Sequence, residues 1–523
     1  MNMAHFANRM WYGANLIRWR RFREALKSPL SAQVRILQSY VKRNADTLFG
    51  RKHGFSSVRS IQDFQKAVPL TTYEDYVPFI DSIGRGASDQ TTADRVSRLM
   101  PTSGSSGAIK FIPYTNRLQA EFNRAIGPWI VDLFKRFPSA MDGPAYWAVS
   151  PAICHSGETG WTVPVGFEDD TKYLGACLSR LVGQTLAVPT GVRHIQEISL
   201  FKFITLAFLL AHRNLSFVSI WHPSYLSVLL ADLAAHLDTI IGCLQDGRLR
   251  LPHDLDGSIL PEIHSAWKRD RSRAKELAGI DVRQWNALWP KLSVISSWGH
   301  GASQLPWTES ARAFPSTVHQ PKGLIATEAI MTIPFRNRFP LAINSHFFEF
   351  IDDTGRILTC DQLKVGSEYE IAITTGGGLY RYRIGDRVSV NGFVASTPSL
   401  VFVGRGALVS DICGEKLSEA FVAKCINKAL AGTLKGKVNS ARLIPERRKG
   451  VVGYCLKIHL KAPLNGETAL IERRVEIALK KNPHYALCVR LGQLAPLRVE
   501  ACRFPRCEND TAISKKPCIF GEY

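Results

Sequence analysis

Between residue 96 and about residue 395 the chain alternates short β-branched and aromatic runs with longer stretches of helical periodicity, and this alternation limits its fold more than any other feature. Ala145–Val149, Phe217–Ile220, Leu292–Ser296 and Leu324–Ala326 read as strands, and segments such as Pro223–His236 between them read as helices. Strands separated by helices build sheets covered by helices, so an α/β fold follows. A denser β region comes next, at Phe347–Ile351, Glu368–Thr374 and Val388–Val390, where Glu349, Glu368 and Glu370 alternate with apolar residues as in a half-exposed sheet. The first 95 residues or so read as helices, with one amphipathic pattern running from Trp11 through Leu26, Leu30, Val34, Leu37 and Val41, and with Asp63 and Thr72 at helix starts. A break falls at Gly404–Gly406. A helix at Ser418–Leu430, a strand at Gly450–Leu460 and a helix at Leu470–Lys481 follow it. The 523 residues exceed what one hydrophobic core usually serves. The expectation is therefore an α/β protein in two parts. A large N-terminal domain, 1–403, has layered α/β sheets and a β-barrel-like region, and a small mobile α+β domain spans 404–523.

Charge narrows the partners. There are 66 Lys+Arg against 45 Asp+Glu, a net charge of +21, which draws nucleotides, carboxylates, nucleic acid or membrane surface. The excess is dispersed, and no zinc-finger spacing, aromatic RNA-binding signature or bZIP-like helix accompanies it, so nucleic acid is not an expected partner. The 11 cysteines form no CxxC pair, and Cys502 with Cys507 lacks a second pair, so no zinc site is expected. Trp11–Arg23 mixes aromatics with arginines and is not a signal peptide. The strongest apolar run, Phe203–Ala211, is too short to span a bilayer. These features point to a cytoplasmic chain with reduced thiols and no membrane insertion.

Four motifs carry chemistry, and each also admits a plain structural reading. Thr102-Ser103-Gly104-Ser105-Ser106-Gly107, followed by Lys110, offers hydroxyls, turn amides and a cation, which is what a triphosphate needs; it also reads as a flexible Ser/Gly turn. It is not a Walker A loop, because the glycine spacing is too short and the lysine comes late. In Gly323-Leu-Ile-Ala-Thr327-Glu328 a strand-like run ends in a hydroxyl and a carboxylate. A carboxylate beside phosphate needs a metal between them, so Glu328 is a candidate Mg²⁺ ligand; the alternative is a helix start with an acidic first turn. Gly378-Leu-Tyr-Arg-Tyr382-Arg-Ile-Gly-Asp386 ends in a carboxylate suited to ribose hydroxyls. Its alternation places tyrosines on one strand face and arginines on the other; the alternative is a hairpin with a Gly-Asp turn. Phe402-Val-Gly-Arg405, running to Gly414-Glu-Lys416, suits a hinge followed by a lysine that swings over the reacting carboxylate, or else a linker with a surface lysine.

The order of these motifs resembles the adenylate-forming superfamily. More specifically, Thr102–Lys110 with Phe111-Ile-Pro113, Leu379–Asp386, Ser410–Lys416 and the early Tyr73-Glu-Asp-Tyr-Val-Pro78 resemble the Gretchen Hagen (auxin-responsive) acyl-acid amido synthetases. The closing Phe504-Pro-Arg506 is similar to that family as well, so the resemblance covers nearly the whole chain. It implies that Thr102–Gly107 and Lys110 bind ATP, with Ser103, Ser105 and Ser106 on the β- and γ-phosphates. Thr327 would meet the α-phosphate, Glu328 the Mg²⁺ and Asp386 the ribose. Tyr382 joins the ATP site, Arg405 lies near the ribose and hinge, and Lys416 neutralises charge at the pyrophosphate or adenylate. Thr327, Glu328 and Lys416 are the catalytic set. Two departures, Leu324 in place of an aromatic and Cys413-Gly-Glu-Lys416 in place of the plant pattern, suggest a bacterial-type branch.

The implied activity is ATP-dependent formation of an acyl-AMP with release of pyrophosphate, then transfer to an amine or amino acid. Transfer to coenzyme A or a carrier thiol is the alternative, and a basic nucleotide- or nucleic-acid-binding protein is the non-enzymatic one. The acid is expected in a mostly apolar pocket from Val163–Phe167, Trp221–Tyr225 and Trp298, with Val165, Trp221, Ser224 and Trp298 as contacts; core packing accounts for them equally. His155 and His300 read as structural, no general base can be named, and a monomer is expected.

Overall fold

The computed structural model describes residues 3–103, 109–148, 160–166, 183, 185–195, 197–221, 223–251, 260–281, 283–300, 303–405, 409–410, 417–430, 438–448, 451–460, 468–482, 485–486, 489 and 494–503. The chain divides into two compact units. The first comprises Met1–Gly299, Pro306–Ile384 and Ser389–Val401, and the second His300–Leu305, Gly385–Val388 and Phe402–Tyr523.

Three sheets organise the first unit, the segments Gly385–Val388 and 402–405 of the third counting with the second unit. An antiparallel hairpin joins β1 (Val96–Ser103) to β2 (Ile109–Thr115). A parallel sheet runs in the order β3 (Ala145–Trp147), β4 (Phe217–Ser219), β5 (Val294–Ser297), β6 (Val318–Pro321). Three of its four strands fall where alternation places them. The fourth is Val318–Pro321, and Leu324–Ala326 lies beyond its end rather than in the sheet. His319 and Gln320 give that strand a polar centre, so hydrophobic pattern does not mark it.

Helix Ile198–Ala211 shares a core with this sheet and is apolar around most of its circumference, with Lys202 turned out to pair with Asp232. Its last turn leaves carbonyls to satisfy, and the buried Arg273 meets one of them, donating from Nε to Leu210 O (2.8 Å), while its Nη2 donates to Leu288 O (2.5 Å) at the end of helix Trp285–Leu288. Glu276 pairs with the same guanidinium at 2.9 Å, so the cation is not buried alone.

The β region expected to be barrel-like is a five-stranded sheet. Its order is β11 (Thr397–Arg405), β10 (Tyr382–Val394), β9 (Glu368–Thr374), β7 (Phe347–Ile351), β8 (Ile357–Leu358). Glu349 on β7 is buried rather than half-exposed, because it pairs with Arg381 at 2.9 Å.

The N-terminal pattern is two helices, Met3–Ala25 and Pro29–Arg43, split where Pro29 opens the second one. Trp11 and Phe22 from the first and Leu37 and Val41 from the second are buried. Asp63 is inside a helix rather than capping it: Ser60 is the cap of Ile61–Ala67, and Asp63 closes the capping box from the third position.

In the second unit β12 (Val409–Ser410) pairs with β13 (Leu417–Ser418). A three-stranded sheet β14 (Val438–Arg448), β15 (Val451–Leu460), β16 (Leu494–Arg503) carries helices Glu419–Leu430 and Thr468–Leu479. They share a core that includes Leu443, Leu456, Ile458, Ile471 and Val475. No single described helix of the chain is long and apolar enough to cross a membrane.

Candidate active site

Residues 104–108, with Gly104, Ser105, Ser106 and Gly107, lie outside the described residues, as do the side chains of Thr102 and Ser103. The register Thr102↔Lys110 and Ser103↔Ile109 pairs the residues on either side of this segment, so it connects two antiparallel strands in sequence. On β2, Lys110 Nζ sits 5.5 Å from the centroid of the Tyr73 ring, and the Tyr73 hydroxyl accepts from Phe111 N–H at 2.8 Å. The other side of β1 is flanked by Val165. It bridges Leu99, with Leu99 N–H donating to Pro164 O (2.9 Å) and Gly166 N–H to Leu99 O (2.8 Å).

Thr327 and Glu328 are neither the end of a strand nor the start of a helix. They occupy a tight reversal closed by the bridge Ile325↔Ile330, with Ala326 N–H donating to Ala329 O at 2.9 Å. The bridges Thr332↔Leu341 and Pro340↔Ser399 stitch the following segment towards β11. Glu328 is 7% exposed at the turn.

A buried network holds this turn. Ile330 N–H donates to His346 Nε2 (3.3 Å), which leaves Nδ1 as the protonated nitrogen facing Glu121 Oε2 at 3.0 Å. Glu121 also accepts from the Tyr40 hydroxyl (2.7 Å) and from Gly376 N–H (2.9 Å). Burial and the Glu121 charge together push the Tyr40 phenol well above its ordinary range. Arg117 and Arg124, at 4.0 and 3.6 Å, balance the carboxylate. No motif marks this network, because its members come from four distant segments.

The tyrosine-arginine motif departs from simple alternation. Arg381 takes φ +48°, so β10 begins only at Tyr382. Arg381 is buried, pairing with Glu349 and donating from Nη1 to Gln65 O (2.9 Å) and Val68 O (2.6 Å), whereas Arg383 makes an outer two-bond pair with Glu370 at 2.8 and 2.7 Å. The two arginines therefore do not share an exposed face. The segment Thr71–Tyr76 braces the motif. Thr71 N–H donates to Arg381 O (3.0 Å), and Arg383 N–H donates to Thr71 O (2.8 Å). Tyr76 Oη accepts from Tyr380 N–H (2.7 Å) and donates to Tyr380 O (3.1 Å).

Tyr382 is where these pieces meet. Burial raises its phenol pKa, and the negative charges of Glu328 and Glu74 raise it further. Tyr382 is thus a neutral hydroxyl within the electrostatic field of Glu328 and Glu74, while Lys110 sits over the ring of Tyr73. Asp386 lies on β10, 3% exposed, so the Gly-Asp pair is inside a strand and not a hairpin turn. Arg405 ends β11, with its side chain outside the described residues, and Lys416 and His155 lie outside them altogether.

A second cluster lies at the carboxyl ends of the parallel strands, where open α/β sheets place ligands. Trp221 follows β4 and Trp298 follows β5. Their rings are 5.9 Å apart, and Trp298 N–H donates to Trp221 O at 2.8 Å. The two predicted acid-pocket tryptophans are therefore together; Ser224 starts helix Ser224–Ala231, its side chain outside the described residues. After β6 comes Lys322, singled out by no motif, with Nζ 4.6 Å from the Trp221 ring centroid. Burial lowers its pKa to about 7. Burial likewise lowers that of His300.

Comparison with known proteins gives a consistent picture. The profile of the GH3 family N-terminal domain matches residues 18–314, and that of the GH3 family central domain matches residues 339–405. The indole-3-acetic acid-amido synthetase GH3.15 of Arabidopsis thaliana is 26% identical over 443 residues, 75% of this chain and 71% of that protein. The jasmonoyl–L-amino acid synthetase JAR4 of Nicotiana attenuata is 20% identical, covering 84% and 79%. Among solved structures, the GH3.15 acyl acid amido synthetase in complex with 2,4-DB superposes with a TM-score of 0.80 at 20% identity, over 93% of this chain and 89% of that one. A 2-hydroxyisobutyryl-CoA ligase in the postadenylation state gives 0.54 at 12% identity, over 93% and 87%.

Proposed function

Because the chain belongs to the GH3 family, we infer that its first unit holds ATP around the 102–110 segment and an acid at the carboxyl edge of the parallel sheet. The protein is an ATP-dependent acyl-acid amido synthetase. It adenylates a carboxylic acid with release of pyrophosphate, then transfers the acyl group to an amine or amino acid. The observation that carries the site is that Glu328 and Glu74 act electrostatically on the buried Tyr382 hydroxyl, with Lys110 over the adjoining Tyr73 ring.

In this reading the 102–110 segment, with Ser103, Ser105 and Ser106, binds the β- and γ-phosphates, and Lys110 offsets their charge. Thr327 donates to the α-phosphate. Glu328, a carboxylate fixed at a turn tip and shielded from water, has the chemistry of a hard-cation ligand and would hold Mg²⁺. When bound, that ion screens phosphate charge during attack by the carboxylate. Tyr382 supplies an un-ionised hydroxyl beside Glu328. Asp386 accepts the ribose hydroxyls, and Lys416 neutralises the leaving pyrophosphate or the adenylate. The small domain, 404–523, acts as a mobile cap with its hinge near Arg405. Little covalent help is needed, because positioning and charge neutralisation account for most of the rate. Val165, Trp221, Ser224 and Trp298 line the acid pocket, and the protein acts as a monomer on small molecules.

The test is exchange of labelled pyrophosphate into ATP across a panel of carboxylic acids, followed by product mass with pooled amines. Acid-dependent exchange and an amide are expected. A thioester with added thiol and no amide would reassign the second half-reaction, and no exchange with any acid would overturn adenylation.

A further inference from the structure

Lys322 stands apart from the motifs. It is 5% exposed, and its backbone is fixed by donation to Ser297 O at 2.7 Å. The next residue is held equally firmly, since a Cβ on Gly323 would meet Thr332 O at 2.0 Å. The ammonium faces the indole of Trp221, and Trp298 flanks that indole. Among the described residues no carboxylate pairs with it, and no charged or titratable group contributes to its shift; burial alone acts. A buried cation normally has a partner, because its desolvation otherwise goes uncompensated. A cation–π contact offsets only part of that cost. Trp221 is 42% exposed, an open indole face beside an enclosed cation. Position adds to this. The three residues follow three adjacent parallel strands at the edge where such sheets bind ligands.

We propose that Lys322 is the cation that receives the carboxylate of the acid substrate, with Trp221 and Trp298 packing against the acid's flat, apolar body. The inference rests on the reading of the chain as an acid-adenylating enzyme. It adds the group that binds the acid before ATP is attacked. Charge on Lys322 also makes acid capture depend on pH. Its folded pKa is about 7, below the ordinary lysine value of 10.5. The cation is present below that value and lost as pH rises through it, so kcat/KM for the acid falls from pH 6 to pH 8.

The experiment uses the full-length protein with benzoate and phenylacetate as acids and phenylacetamide as the uncharged control. Tryptophan fluorescence, titrated without ATP, reads binding directly, and pyrophosphate exchange reads KM for acid and for ATP. Lys322→Met should raise the acid KM and the fluorescence Kd at least about tenfold, the scale of a lost charge-assisted hydrogen bond, with the ATP KM unchanged. Lys322→Arg should retain acid binding and flatten the pH dependence, which also guards against a Met variant that fails to fold. An unchanged acid KM in Lys322→Met beside normal wild-type exchange would overturn the anchor and leave adenylation intact, and a rise in the ATP KM instead would assign the lysine to the nucleotide. Lysine-dependent quenching by phenylacetate without exchange for any acid would support the anchor and overturn adenylation. Quenching by phenylacetamide equal to that by phenylacetate, or none by either acid, would overturn the anchor.

Discussion

Replacing Glu121 with leucine tests whether the buried network sets the geometry of the Thr-Glu turn. The carboxylate accepts three short hydrogen bonds, from the Tyr40 hydroxyl (2.7 Å), Gly376 N–H (2.9 Å) and His346 Nδ1 (3.0 Å). Leucine has nearly the same bulk and leaves all three donors without their partner. Each buried donor left unmade costs about 1–3 kcal/mol. The three share one acceptor and relax together, so a total of about 3–6 kcal/mol is expected rather than the full sum. Glu121→Gln keeps one carbonyl acceptor and should cost about half as much. Urea unfolding followed by tryptophan fluorescence measures the first unit, where Glu121, His346 and all 11 tryptophans lie. Function should fail earlier than the fold, because loss of Glu121 frees His346, which accepts from Ile330 two residues after Glu328. In mild conditions, where the Leu variant is still folded, exchange should drop more than tenfold. A Leu variant destabilised by less than about 1 kcal/mol, with exchange unchanged, would refute the reasoning.

Other outcomes follow from single contacts. Asp386→Ala and Lys416→Ala should each lower pyrophosphate exchange at least about tenfold, about 1.4 kcal/mol of barrier; unchanged rates in both would sink their assignment. Removing Arg381 alone or Glu349 alone strands a buried charge and should cost about 3–5 kcal/mol, whereas an apolar double replacement should recover much of it in a double-mutant cycle. Gly323→Ala should express poorly or unfold early, because its methyl would meet the Thr332 carbonyl, which is backbone and cannot move aside; a thermal melt equal to wild type would count against the turn geometry.

Local signals were legible wherever the chain makes its own neighbours. The runs at 145, 217 and 292 became β3, β4 and β5, because a buried parallel strand needs apolar residues on both faces. The Ser-Gly loop read from glycine and hydroxyl spacing falls at 104–108, outside the described residues. Other features depend on residues far along the chain. β6 was missed because Gln320 is buried by accepting from Trp129 Nε1 at 2.9 Å, a partner 191 residues away. Arg381 was placed on one strand face with Arg383 because nothing near it predicts Glu349. The Glu121–His346 pair joins positions 225 apart and matches no motif. Lys322 was overlooked for the opposite reason, as a buried lysine has no pattern until its surroundings are known.

The brace between Thr71 and Tyr380 has a consequence for biosynthesis. Its hydrogen bond, 2.7 Å long, spans 309 positions in the chain. A ribosome must therefore release most of the first unit before Tyr73 and Tyr382 can become neighbours. Until then the segment proposed to bind phosphate lacks the surroundings that give it purpose, so a truncated product is expected to be catalytically silent rather than a wasteful consumer of ATP. A shortened version beginning at β1, where the α/β pattern starts, would lose Tyr40, Thr71, Tyr73 and Tyr76 together. The leading helices are thus an integral part of the first unit and not a dispensable appendage.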